Sequence, residues 1–112
     1  MAAVIEFRTY TTHPGERAKV IELLEDRFFA EMEGLGIRVL GCYPSLEDET
    51  TFVWLRAFPD ADGHEKLTKA LYGGKLWKEE LEKAIVPRIA GLSVSTVEDT
   101  TGLWDAWPAT KR

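Results

Sequence analysis

Glu6, Arg8 and Tyr10 occupy alternate positions of one short segment, so in an extended chain their side chains share a face. An arginine can polarise an oxygen atom, and a tyrosine or carboxylate beside it can handle a proton. The three therefore read as an anion or carbonyl site. They read equally as a buried ion pair, because a charge in a core must be paired. Histidine is the side chain suited to general-base work near neutral pH, so His13, just before Pro14, would serve as a general base at the mouth of such a site. Its plainer role is to occupy the start of a helix. The expected catalytic set is Arg8, Tyr10 and His13, with Glu6 in contact with substrate.

Trp54, Tyr72 and Trp77 would wall an aromatic pocket, and Arg56 falls on the strand face that carries Trp54. Aromatic residues at core spacing are more often plain core. A pocket of roughly 300 Å³ or more, lined by Arg8, Tyr10, Trp54 and Trp77, would favour a small-molecule site. A filled interior would instead mark a non-catalytic interaction or stability module. His64 sits in the charged stretch from Asp62 to Lys66 and reads as solvated, and Cys42 reads as a small hydrophobe. His13, Cys42 and His64 have no spacing that makes a metal site, so no metal is expected. Gly73, Gly74 and Lys75 lack the pattern of a phosphate loop.

The surrounding elements follow from periodicity. Val4 to Thr11 alternates as a strand, with Ile5, Phe7 and Thr9 on the face opposite Glu6, Arg8 and Tyr10. Pro14 reads as a first helical position. Val20, Ile21, Leu24, Phe28 and Met32 then form an apolar helical stripe that Gly34 and Gly36 end. Ile37 to Tyr43 and Thr51 to Phe58 read as a hairpin. A helix is expected around His64 to Leu71, and a second with Leu76, Trp77, Leu81, Ile85 and Ile89 on its apolar stripe, its end disturbed by Pro87. Gly91 to Asp99 is the last strand.

The order β-α-β-β-α-β is the ferredoxin-like split motif, an α+β sheet with helices on one face. Both strand faces carry large apolar groups, so a second subunit is expected to cover the bare one, giving a homodimer. Residues 1–102 form the domain. The tail, residues 103–112, carries Leu103, Trp104 and Trp107. It is expected to pack across the partner, over the pocket or on the subunit itself, because a large apolar patch in water is unfavourable.

The chain has 112 residues, 14 basic against 19 acidic, for a formal net charge of -5. Scattered basic residues in an acidic chain argue against nucleic acid and anionic membranes as partners. One cysteine permits no internal disulfide, and the first residues lack the basic and apolar regions of a signal peptide. A cytoplasmic location is expected. The sequence holds no Asn and no Gln, which removes any mechanism that needs a side-chain amide.

Several segments resemble a known family. Glu6 to Thr11 followed by His13, Pro14 and Gly15 is similar to the E-L-R-x-Y-x-x-x-P-G opening of NIPSNAP domains. Gly36 to Gly41 resembles that family's H-G-I-x-x-x-G segment, Val53 to Phe58 its V-x-L-W-A-Y strand, and Trp77 with Leu81 its W-x-x-x-L element. The resemblance runs from about Ile5 to Val97. It implies a dimeric α/β barrel with a pocket between each sheet and its helices, but no single reaction. The wider fold includes cofactor-independent monooxygenases, haem-degrading enzymes and polyketide cyclases. Family members carry an aromatic where Arg56 stands and a His where Trp54 stands. Haem-degrading relatives use an Asn, a Trp and a helical His; this chain has no Asn, and its helix from Leu76 to Ile89 has no His, so no cofactor is expected. The leading expectation is a small-molecule-binding protein, of cyclase or monooxygenase type if it is an enzyme, acting on an apolar oxygenated substrate such as a polyketide or quinone precursor.

Overall fold

The computed structural model describes residues 2–106. The alternating first segment forms β1 (Val4–Thr12). Pro14 and Gly15 follow as a turn, with Gly15 at φ 80, a left-handed value that favours glycine. Glu16 is the N-cap, and the first helix, α1, starts at Arg17. Pro14 is thus outside the helix, because the turn it fixes must first redirect the chain off the sheet. α1 spans residues 17–35 and holds one π-turn, Leu24–Phe28, between α-helical Arg17–Leu23 and Phe29–Leu35. Gly36, at φ 98, caps it, while Gly34 lies inside it.

β2 (Arg38–Pro44) and β3 (Thr51–Phe58) form the expected hairpin. α2 (Ala61–Gly73) starts at Asp60, whose carboxylate accepts the Gly63 N–H at 2.6 Å. α3 covers residues 76–88: a π-turn, Leu76–Leu81, one α-turn, Glu82–Ile85, and a tight 3₁₀ turn, Val86–Arg88. Pro87, with no N–H to donate, ends it there. Ile89 therefore opens β4 (Ile89–Glu98) instead of extending the helix.

The strands form one antiparallel sheet in the order β2-β3-β1-β4, the ferredoxin-like arrangement. One face of β1 and β3 meets α1, α2 and α3. Tyr10, Phe52, Trp54 and Phe58 pack there against Val20, Leu24, Phe28, Phe29, Met32, Leu71, Leu81 and Ile85. Burying such side chains contributes roughly 1.5–3 kcal/mol each.

The opposite face is covered only in part. A short C-terminal helix, α4 (Leu103–Ala106), brings Leu103 and Trp104 against Ile5, Leu40, Leu55 and Ala57. Asp99 holds it by accepting the N–H groups of Gly102, Leu103 and Trp104 at 2.8–3.1 Å. The Trp104 N–H, then those beside it, keeps the Asp99 carboxyl below its ordinary value. Arg38 lies over the Trp104 ring at 3.9 Å. Trp107 and Pro108 lie outside the described residues. Deleting residues 103–112 should lower the melting temperature by about 4 °C or more, because it uncovers Ile5 and Leu40. An unchanged melting curve would show that α4 adds nothing to the fold. Beyond α4 the face stays open, with Phe7 at 40% and Val97 at 41% exposure.

Candidate functional site

Antiparallel register sets Glu6 directly opposite Arg56, and Arg8 opposite Trp54, on the helix side of the sheet. Glu6 is the hub. Its Oε1 accepts from Arg8 Nη1 at 2.7 Å and from Arg56 Nε at 2.8 Å. Its Oε2 lies 2.6 Å from His64 Nε2. Arg8 also donates from Nε and Nη2 to the Tyr10 hydroxyl at 3.2 and 3.1 Å. Arg56 donates from Nη1 to the Tyr72 hydroxyl at 3.0 Å and lies 3.6 Å from Met32 Sδ. Glu6 is 4% exposed and Arg56 1%, so these are interior charges.

Beside this cluster is a cavity of about 130 Å³. Arg8, Tyr10 and Tyr72 supply its polar wall, and Leu24, Phe28, Trp77 and Ile85 most of the apolar one. Val86, Ile89 and Leu92 complete it, and the exposure of Val86 and Leu92 marks its open side. Phe28, Tyr72 and Trp77 pack edge to face or tilted, with centroids 5.1–6.0 Å apart. These rings occupy space expected to be open, so the cavity has less than half the anticipated volume. Both π-turns border it: Leu24 and Phe28 come from one, Trp77 from the other. Such bulges are rare, and they collect at functional sites because the widened turn re-aims side chains.

Of the residues singled out in the sequence, Glu6, Arg8, Tyr10, Arg56, Tyr72 and Trp77 come together. Trp54 does not line the cavity. It is fully buried behind Arg8, against Tyr10 and Phe29, with the Arg8 guanidinium 5.4 Å from its ring centroid. It supports the cluster from beneath. His13 is also elsewhere: β1 ends at Thr12, and His13 stands exposed in the turn, its N–H donating to Arg88 O at 3.0 Å.

His64, expected to be solvated, joins the cluster through Glu6 instead. Its signal was present. Counted from the Asp60 cap, His64, Leu67 and Leu71 fall at i, i+3 and i+7 on one helix face, the face that meets the sheet. His64 packs edge-on to Phe58 with centroids 4.6 Å apart, and 30% of its side chain reaches solvent.

Burial acts to raise the Glu6 carboxyl, but the Arg56 charge and the hydrogen bonds from His64, Arg56 and Arg8 outweigh it. Glu6 is held below its ordinary value and stays ionised. Burial acts to lower the Arg8 guanidinium, and its contacts with Tyr10, Tyr72 and Glu6 hold it above its usual value. Burial pushes the Tyr10 phenol up despite the Arg8 charge, so it stays neutral. Chemically, the arrangement stabilises negative charge on oxygen. Neither Glu6 nor Tyr10 serves as a base, since Glu6 is engaged and acidic and Tyr10 holds its proton, and His64, bonded to Glu6, does not line the cavity. Among the described residues, no group of three or more His, Cys, Asp or Glu could hold a metal ion.

The family comparison decides the lineage. The sequence model of the NIPSNAP family matches residues 5–96. The chain belongs to the NIPSNAP family. A comparison with curated proteins finds no match. Among solved structures, an uncharacterized NIPSNAP-like domain protein from Burkholderia xenovorans superposes with a TM-score of 0.77 at 17% identity, over 88% of this chain and 86% of that one. A NIPSNAP family protein of unknown function from Agrobacterium tumefaciens gives 0.74 at 21%, over 87% of each chain. A candidate antibiotic biosynthesis monooxygenase from Caulobacter crescentus gives 0.67 at 16%, over 88% of this chain and 91% of that one. These likenesses show the shared fold. Among the described residues, no helix is long and apolar enough to cross a membrane.

Proposed function

We propose that this NIPSNAP protein binds a small, largely apolar, oxygenated molecule in the cavity between sheet and helices. The carrying observation is Arg8, which forms part of the cavity wall while tied to Glu6 and to the Tyr10 hydroxyl. A substrate oxygen placed at that wall would meet a fixed positive charge and the Tyr10 and Tyr72 hydroxyls, in a site of low dielectric. A substrate that arrives already ionised as an enolate would be held and oriented there for ring closure onto a carbonyl or for reaction with dioxygen, without a protein cofactor. The fold shared with the Caulobacter crescentus protein is compatible with the second course. A 150 Å³ apolar cavity holds about one benzene ring. A cavity of about 130 Å³ thus takes the reacting end of a polyketide or quinone precursor, with the remainder passing out beside Val86 and Leu92.

The enzyme reading is tested by oxygen uptake with a hydroquinone acidic enough to be ionised at neutral pH, without added metal or flavin. Turnover about tenfold above the uncatalysed rate, lost in Arg8→Met, supports it. Binding without turnover supports the second reading, a non-catalytic module, which the small cavity and the lack of a base among its described lining residues favour.

The working unit in this proposal is a homodimer. Phe7, Val53, Leu55, Tyr43 and Val97 share the outer sheet face through the register of β1, β2, β3 and β4, and α4 leaves much of that face bare. A second copy of the same face is the simplest cover. Sedimentation at micromolar concentration should give a dimer, and Phe7→Arg should shift it to monomer. A wild-type monomer would contradict this.

A further inference from the structure

The charge of the ligand is fixed by the cluster that would receive it. Glu6 is the carboxylate shared by two guanidiniums, those of Arg8 and Arg56. Its second oxygen is taken by His64. Guanidiniums do not lose their proton in proteins, so the group carries at least one positive charge more than it neutralises. An uncompensated interior charge is costly, and nearby dipoles offset it only in part. The Tyr10 and Tyr72 oxygens already accept from the two arginines, which leaves each O–H proton free to donate. The polar wall of the cavity thus offers donors and an excess positive charge, while the rest of the wall is apolar. A neutral carbonyl would satisfy the donors but leave the charge. The described residues that line the cavity also include no base to generate an anion after binding, so the negative charge must arrive with the ligand.

We propose that the ligand is a singly charged oxyanion on a ring-sized apolar body, either a carboxylate or an acidic enolate or phenolate. This rests on the cavity being a ligand site, and it adds that the ligand binds as an anion. In this account Arg8 is the anion-recognising residue. Arg56, buried, bonded to Glu6 and Tyr72 and outside the cavity lining, is a positioning residue that fixes the carboxylate.

The test titrates the full-length protein with benzoate, its neutral isostere benzamide, and pentafluorophenolate, by calorimetry at constant ionic strength and neutral pH. Benzoate or pentafluorophenolate should bind about tenfold or more tightly than benzamide. Whichever anion is favoured reveals whether two oxygens or one are recognised. In Arg8→Met the preference over benzamide should vanish. That variant keeps a neutral Glu6–Arg56 pair, so it should melt no lower than the wild type. Equal affinities for benzoate, pentafluorophenolate and benzamide in the wild type would overturn the anion proposal and leave a neutral-ligand cavity. Binding of none of the three would overturn both readings. Should Arg8→Met fail to fold, the wild-type comparison still decides between them.

Discussion

Glu6→Gln should destabilise the folded chain by about 3–5 kcal/mol at neutral pH, the usual cost of removing one partner from a buried charge pair. Against a total stability of roughly 5–15 kcal/mol, that is enough to leave part of the population unfolded at body temperature. The carboxylate is shared by two guanidiniums, so its loss strands two charges at once. The effect depends on pH in a defined direction. Because folding lowers the Glu6 pKa, its contribution is fully present above the ordinary value of 4.5 and is lost as pH falls through the lower, folded value. Urea midpoints of wild type and variant should differ most at neutral pH and converge in acid. Equal midpoints at pH 7 would mean that Glu6 is not the charge that holds the cluster. Arg8→Met gives the opposite expectation, since it leaves one carboxylate facing one guanidinium.

Ile85→Phe should abolish ligand binding, by roughly thirtyfold or more, without lowering the melting temperature. Ile85 lines the cavity and is 2% exposed, so a larger ring there has the void to enter. Filling a void recovers dispersion contacts its lining otherwise lacks. Overpacking would cost about 1–3 kcal/mol if the space were not open. A site kept open at some cost in packing is the usual trade of stability for function. The variant is checked by calorimetry with benzoate and by thermal melting. A stable Ile85→Phe protein with unchanged affinity would place the ligand elsewhere. A strongly destabilised one would show that the cavity is not free volume.

Much of this fold could be read from the chain because single residues carried local rules. The alternation at Ile5 to Tyr10, the stripe from Val20 to Met32 and the glycine at position 36 each fix one element on its own. What stayed hidden was set between elements. That Glu6 meets Arg56 depends on the β1–β3 register, which no local pattern in either strand encodes. That Trp54 lies beneath the cluster instead of in the cavity depends on how closely Phe29 and Tyr10 approach it. His64 looked solvated because its neighbours Asp62, Glu65 and Lys66 are charged, yet the Asp60 cap turns it inward to Glu6. The two π-turns leave no plain mark in the sequence, and they bring Phe28 and Trp77 to the site. Tyr10 and Arg8 were legible as a pair; the smallness of the space beside them was not, because it depends on how three rings pack.

If the cavity beneath α1 and α3 is a small-molecule site, the indole N–H resonances of the protein report it most directly. Trp77 lines the cavity, whereas Trp104 sits on the opposite face of the sheet and serves as an internal control. Titration of ¹⁵N-labelled protein with benzoate, and separately with neutral benzamide, should shift the Trp77 signal in a saturable way while Trp104 stays in place. A Trp77 signal unmoved by both compounds at saturating concentration, or equal drift of Trp77 and Trp104, would contradict it.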